Sequence, residues 1–469
     1  MAASAAAIAR AAPASFAAAD VKRCKCLIRF TYSSKSKMHI AQNTHGLWGA
    51  TAIAAPVTQP LDRQLNADFV VIGAGFTGLS TALHLAEEGA RSVVVLEASE
   101  IGYGASGRNA GLVNAGAWIA PEELPRRLGP VYGKRLFDTL GNGPEQVYGL
   151  IARHGIDCDP VRQGNLHCAV GASGLALIEE RARQWRALGI PVELLDATQT
   201  AALVGSDRFT GALRDPRTGT IQPLSYVRGL ARVATQLGVR IFTQTAVVGK
   251  HKQGDVWQLR TSTGHVVSTP QVVVASNTRQ EGRDDAWPEL QSDAIRMPYF
   301  NMATEPLSQA LRSKILPQGQ GAWDTATVLS SFRMDRAGRL VYGSVGSLAD
   351  WSRGTHRDWV RRAMTRLYPE LRDTRIEHAW HGYIDVTANH LPHLHQPDDN
   401  VWAFGGYNGR GIAAGTVLGR ELARVLVGRM DAVDMSLAPS AIRPLPFKRT
   451  RELFYDAGAV AAHAVNARF

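Results

Sequence analysis

The residues best suited to chemistry are glycines. Gly73-Ala74-Gly75-Phe76-Thr77-Gly78 stands between an apolar run, Phe69-Val70-Val71-Ile72, and a stretch with Leu79, Ala82, Leu83, Leu85 and Ala86 at helical spacing. Gly73 permits a tight turn, Gly75 lets backbone approach a pyrophosphate, and Gly78 lets a helix pack close to its strand. Phe76 and Thr77 open that helix, where free N–H groups and the positive dipole end attract phosphate. A second apolar run, Val93-Val94-Val95-Leu96, ends at Glu97, 19 residues past Gly78 and followed by Ala98. That carboxylate can accept from both ribose hydroxyls and would repel a 2′-phosphate, which disfavours NADP.

Two further glycine clusters follow, Gly102 to Gly111 and Gly405 to Gly411. A nicotinamide site has no use for a second flexible loop just past the acid. A flavin has, because its ribityl chain and ring system must be clasped by backbone. Gly406, Gly409 and Gly411 open another helix, whose dipole could face the flavin N1–C2 carbonyl, where charge develops on reduction.

Stepping outward, the positioning elements alternate in type. Strand, helix and strand over 68–97 form one βαβ unit, closed at Gly89. Residues 133–153, 174–188, 226–237, 360–368 and 412–427 read as helices, and 247–260 and 265–274 as a strand meander. Phe332 to Met334 and Arg339 to Tyr342 flank a hairpin turn.

Composition sets the limits. With 469 residues, 45% apolar and 20% charged, the chain is neither disordered nor a disulfide scaffold and is long enough for two domains. Net charge is +11, and more than half of that excess lies in residues 1–37, so a nucleic-acid partner is not expected. That leader is read as a mistaken translation start ahead of Met38, with an organelle transit peptide as the alternative. Cys24, Cys26, Cys158 and Cys168 include no C-x-x-C pair, and no apolar run reaches 18 residues, so no transmembrane segment is expected. A cytoplasmic location is expected, or an organelle if the leader is real.

These segments together resemble the FAD-dependent D-amino-acid oxidase family, and most closely its gamma-glutamylputrescine oxidase-like branch. The match runs from about Leu47 to Val427. It is carried by 68–86, by Gly104-Ala-Ser-Gly-Arg-Asn-Ala-Gly111, by Gly219-Thr-Ile-Gln-Pro-Leu-Ser-Tyr-Val-Arg-Gly-Leu-Ala231, and by Gly406-Tyr-Asn-Gly-Arg-Gly-Ile412. Ala110 replaces a glycine usual in the second motif. The resemblance implies an α/β chain, α+β overall, with a Rossmann-like FAD-binding domain interleaved with a mainly antiparallel-sheet substrate domain. The expected division is a lead-in arm over 38–67, the FAD domain over 68–150, 215–278 and 378–430, the substrate domain over 151–214 and 279–377, and a tail over 431–469. It also implies oxidation of an amine or amino-acid C–N bond, hydride passing to flavin N5 and water hydrolysing the imine. Oxygen is the expected acceptor, with a quinone or protein as the alternative; a non-catalytic flavin redox sensor is the rival reading. Val247 should meet the adenine side through its backbone, and Ser106, Arg108 and Asn109 should lie by the flavin. With no Cys or His in Gly102–Gly111 and no Cys from Trp380 to Gly411, the FAD is expected to be non-covalent, His381 being the residue to watch.

Hydride transfer needs a neutral amine held over the flavin, not a strong base. Tyr342, Trp380, Tyr383 and Tyr407 are the candidates for an aromatic substrate wall. Arg410 is the candidate for a substrate carboxylate, whereas Arg353 lies among Asp350, Arg357 and Asp358 and reads as a surface residue. His378, His381, His390, His393 and His395 cluster, but Pro392 breaks any shared helix face, and no metal site is expected.

Overall fold

A computed structural model describes residues 45–276 and 286–465. The leader, Met38, Cys24 and Cys26 lie outside the described residues. The short β-branched runs read in the sequence become the centre of a six-stranded sheet. Strands β2 (Phe69–Ile72), β3 (Val93–Leu96), β9 (Arg240–Phe242), β13 (Gln271–Val274) and β20 (Val401–Gly405) run parallel. Strand β19 (His393–Asp398) closes one edge antiparallel to β20. Alternation sends Val71, Val95 and Val273 to one face and Val70, Val94 and Val272 to the other. The first face packs on α2 (Phe76–Glu87), α7 (Pro223–Gln236) and α10 (Gly411–Leu426). The second packs on a four-stranded sheet of β1 (Leu65–Asn66), β10 (Val247–Gln253), β11 (Val256–Thr261) and β12 (Val266–Thr269). The run 265–274 is therefore two strands in two sheets. Pro270, which has no N–H to continue a ladder, separates them.

The second large sheet has eight strands in the order β18-β14-β17-β16-β15-β5-β7-β6. These are β5 (Asn165–Ala169), β6 (Glu193–Leu195), β7 (Gly211–Asp215), β14 (Ala294–Thr304), β15 (Gly321–Asp324), β16 (Ser330–Met334), β17 (Leu340–Val345) and β18 (Ile376–Thr387). Only the β15–β5 pairing is parallel. The sequence reading groups residues from 378 with the cofactor unit. Strand β18 is instead bonded along its whole length to β14, from Ala294 opposite Thr387 to Thr304 opposite Ile376. A two-stranded ladder of β4 (Leu112–Val113) and β8 (Gly219–Thr220) lies between the large sheets in sequence.

The helix expected over 133–153 is two, α3 (Glu123–Gly141) and α4 (Gly143–His154), parted at Asn142 ahead of Pro144. Helices α5 (Gly171–Ala187), α6 (Ala197–Val204) and α8 (Gln309–Arg312) accompany the eight-stranded sheet, and α9 (Arg353–Leu367) covers its apolar face. The lead-in arm and the tail both pack against the body of the fold. Helix α1 (Leu47–Thr51) buries Leu47 and Trp48 completely. Helix α11 (Lys448–Val465) returns onto β14 and α9. Its His463 is buried, stacks on Trp359 at 3.9 Å and meets His356 Nδ1 at 2.8 Å.

Candidate functional site

The first strand-to-helix corner is shaped by contact as well as by φ. Gly73 has φ +106°, and a Cβ on Gly78 would stand 2.0 Å from the Gly73 oxygen. No larger residue fits either place. Glu97 reaches back into this corner, its two oxygens accepting the N–H groups of Ala74 and Ser99 at 2.8 Å each. Both bonds fix the carboxylate at this corner. Thr245 N–H donates to the Glu97 carbonyl at 2.8 Å, which brings β10 and Val247 alongside.

The second glycine cluster folds against the first. Ser106 Oγ accepts the Phe76 N–H at 3.0 Å, so Ser106 caps the opening turn of α2. Asn109 Nδ2 donates to the Ala105 and Ser106 carbonyls, closing the loop on itself. Trp48 Nε1 donates to Asn109 O at 2.8 Å, and Trp380 Nε1 to Arg108 O at 3.0 Å; the two indoles meet edge to face at 5.4 Å. The third cluster opens α10. Tyr407 OH meets Thr77 Oγ1 at 2.7 Å and so ties the start of α10 to the start of α2. A Cβ on Gly415 or Gly419 would lie 2.8 Å from Thr77 atoms, so these two glycines set the helix-to-helix distance. Gly406 and Gly409 take positive φ in the turn that precedes α10, and Gly411 is its first residue. FAD fits this cradle. Two helix N-termini face it without a side chain of their own N-cap residue bonded there. Among the described residues Arg108 Nε and Nη2 are enclosed without a hydrogen-bond partner, beside Gly382, where a Cβ would come within 3.0 Å of Arg108 Cβ.

Opposite partners in the eight-stranded sheet point to the same face, which sorts the aromatic candidates. Trp380 pairs with Asn301, Asn301 with Gly343, Gly343 with Ser331, Ser331 with Trp323 and Trp323 with His167. This row faces the cofactor loops, because Trp380 and Asn301 Nδ2 both bond Arg108 O. Tyr342 and Tyr383 lie on the other face. Tyr342 is fully buried against Phe332 and Trp359, with its hydroxyl on Ser330. Tyr383 carries the Arg296 guanidinium 4.1 Å from its ring centre. His381, opposite Phe300, shares that far face. The structure thus brings Trp380, Tyr407 and Arg410 to the cofactor side and takes Tyr342 and Tyr383 away from it. Strand parity, invisible in a single sequence, decides this. Arg353 ion-pairs with Asp350 at 3.2 Å at the start of α9.

A cavity opens directly after β4. It is lined by Asn114, Asn165, His167, Arg181, Trp323 and Arg410 among others. Arg410 Nη1 donates to the Ala115 carbonyl at 2.6 Å, and its guanidinium lies 5.6 Å from both the Trp118 and Trp323 rings. Arg181 is 6% exposed and donates to Trp118 O. Among the described residues neither arginine forms a salt bridge with a carboxylate; the nearby Asp215 is held by Arg217 at 2.6 Å. Burial lowers Arg181 to about 10 and, with Arg181 beside it, Arg410 to about 9. His167 stacks on Trp323 at 3.5 Å, and among the described residues neither ring nitrogen has a hydrogen-bond partner. Burial holds that imidazole neutral, well below its usual range. Sequence reading missed Arg181, His167 and Trp323. A signal for Arg181 existed: it falls in the buried stripe Gly174, Ile178, Arg181, Trp185 of α5, where an arginine is out of place.

Fold and cradle together define a flavin-type dinucleotide protein with a separate sheet over the ring site. Residues 68–425 match the DAO family, described as FAD dependent oxidoreductase, and the chain belongs to that family. It is 32% identical over 436 residues to gamma-glutamylputrescine oxidoreductase of Escherichia coli K12, a match spanning 92% of this chain and 99% of that one. It is 24% identical to sarcosine oxidase subunit beta of Rhizobium meliloti, over 75% of this chain and 84% of that one. Its fold is similar to that of glycine oxidase from Geobacillus kaustophilus, with a TM-score of 0.64 at 17% identity, covering 80% of this chain and all of that one. The protein is an FAD-dependent oxidoreductase. Among the described residues no helix is long and apolar enough to cross a membrane.

Proposed function

We propose that this chain oxidises the C–N bond of an amine whose far end carries a carboxylate, of the gamma-glutamylputrescine kind, with oxygen as the final acceptor. The observation that carries this reading is the pair of arginines, Arg181 and Arg410, converging without a carboxylate partner on the cavity behind the flavin loops. Enclosed positive charge left unpaired is costly, and an anionic ligand offsets it. Bound FAD supplies the hydride-accepting chemistry. Arg181 and Arg410 orient the substrate through its carboxylate, while Trp118 and Trp323 exclude water around them. His167, kept neutral, offers one donor and one acceptor to the substrate's polar chain. Trp380 and Asn301 hold the Arg108 carbonyl, and with it the loop beneath the ring.

The cofactor is held without a covalent bond, so acid precipitation should leave flavin in the supernatant. The substrate test is anaerobic mixing with N-(γ-glutamyl)putrescine and with putrescine, which lacks the carboxylate. Bleaching of the flavin absorbance by the first and not the second is expected, with hydrogen peroxide formed when air is admitted. Equal bleaching by putrescine would sink the carboxylate reading; bleaching without peroxide would replace oxygen by another acceptor.

A further inference from the structure

We propose that Asp293, His393 and His395 form a binding site for one divalent cation of the zinc class, at the seam between the two large sheets. Asp293 immediately precedes β14 of the eight-stranded sheet. His393 and His395 alternate on β19, the edge strand of the six-stranded sheet, and so project from one face. Their separation of two residues suits a strand. The helix face that Pro392 would break is not the relevant geometry, and the acid comes from 100 residues away.

The hydrogen-bond partners fix the tautomer of each histidine. His395 Nδ1 faces the Ser440 carbonyl oxygen at 2.7 Å, an atom that can only accept, so His395 holds its proton on Nδ1. His393 Nε2 faces Asn389 Oδ1 at 3.1 Å. That oxygen is fixed as an acceptor because it also takes the Leu391 N–H. His393 therefore holds its proton on Nε2. Each neutral ring then aims a lone pair at the same carboxylate oxygen, Asp293 Oδ2, 2.8 Å from His393 Nδ1 and 2.9 Å from His395 Nε2. Three electron-rich atoms within 4.8 Å of one another require positive charge between them. Two extra protons would supply it, and so would one divalent cation of the same total charge.

Two observations favour the cation. Two imidazole nitrogens and one carboxylate oxygen are a zinc donor set, and a far-side N–H fixed on an oxygen acceptor is how metal-bound imidazoles are oriented. Asp385 lines the same pocket as Asp293 and His395, is 7% exposed, and its Oδ1 has no hydrogen-bond partner. Its open oxygen lies on the pocket beside the cluster, where Arg296 and Lys448 supply the other positive charge. Tetrahedral bonds of about 2.0–2.1 Å set ligand atoms roughly 3.3–3.4 Å apart, so each histidine nitrogen moves about 0.5 Å away from Asp293 Oδ2. The cation would fasten β19 to the start of β14, with the 431–447 segment held through Ser440.

The test uses the FAD-loaded full chain after treatment with a chelator. Zinc chloride is titrated calorimetrically at pH 6 in two buffers of different ionisation enthalpy, and bound zinc is measured after desalting. One zinc per chain with release of protons is expected, and Asp293→Asn and His393→Gln should each lower retained zinc by about tenfold or more with flavin absorbance kept. Cobalt(II) on the unaltered chain should give visible d–d bands that zinc displaces. No retained zinc and no cobalt bands, or full zinc retention in both variants, would overturn the site and leave the histidines as protonated partners of Asp293.

Discussion

The two faces of the eight-stranded sheet are made from the same strands and behave oppositely. One face carries Trp380, Asn301, Gly343, Ser331, Trp323 and His167 in a single register row, with Arg181 and Arg410 near one end. Its polar atoms are left partly unpaired, as at both nitrogens of His167 and at Asn301 Oδ1. The other face carries Phe300, Met302, Phe332 and Tyr342 under α9, with hydroxyls paired and rings in contact. One face is polar and opens on the cavity; the other is mostly apolar and packed under α9. A residue's parity on its strand, more than its type, decides which task it has.

That contrast can be broken or sharpened by substitution, taken here from the largest expected effect. Tyr342→Ala should lower unfolding stability by about 3–5 kcal/mol, read in urea, with KM for substrate little changed in the folded fraction. A KM effect larger than the stability loss would mean the two faces are not separate. Arg410→Met should do the reverse. It should lower kcat/KM for a carboxylate-bearing amine by about 1.5–3 kcal/mol, roughly 10- to 150-fold, while stability is unchanged or raised because an enclosed charge is gone. Acid should find the covered face next. His356 is fully buried and burial holds it down to about 4, with its Nε2 unpaired. A base lowered in the folded state contributes stability above its ordinary 6.5 that is lost as pH falls toward 4, about 1–3 kcal/mol, and His356→Gln should flatten that acid limb of the melting curve. Tyr383→Phe should be smallest, within about 0.5 kcal/mol in both stability and kcat/KM, since the ring that Arg296 covers is kept. A large kinetic loss there would return Tyr383 to the cofactor side.

The cofactor corner was legible because its physics is local. Gly73, Gly78 and Glu97 lie within one βαβ unit, and each answers a constraint posed by its immediate neighbours. The cavity was not legible, because Trp323, His167 and Arg410 come from three distant segments whose meeting depends on register. Tyr342 and Trp380 looked alike in sequence for the same reason: both are aromatics on strands, and only pairing through Met302 or Asn301 tells them apart. Tyr407 and Arg410, expected in the substrate wall and on a substrate carboxylate, lie beside the cofactor loops, the first bonded to Thr77 and the second to the Ala115 carbonyl. Residues 431–469 read only as a tail; the bonds of Glu452 to the Arg296 N–H and of Asp456 to Ser347 leave no local pattern in the sequence.

The seam at which Gly415 and Gly419 meet Thr77 has one more consequence. The starts of helices α2 and α10 share a tight joint and a Thr77–Tyr407 bond. A methyl group added at Gly415 or Gly419 would press on Thr77, so the starts of the two helices could not keep their present spacing.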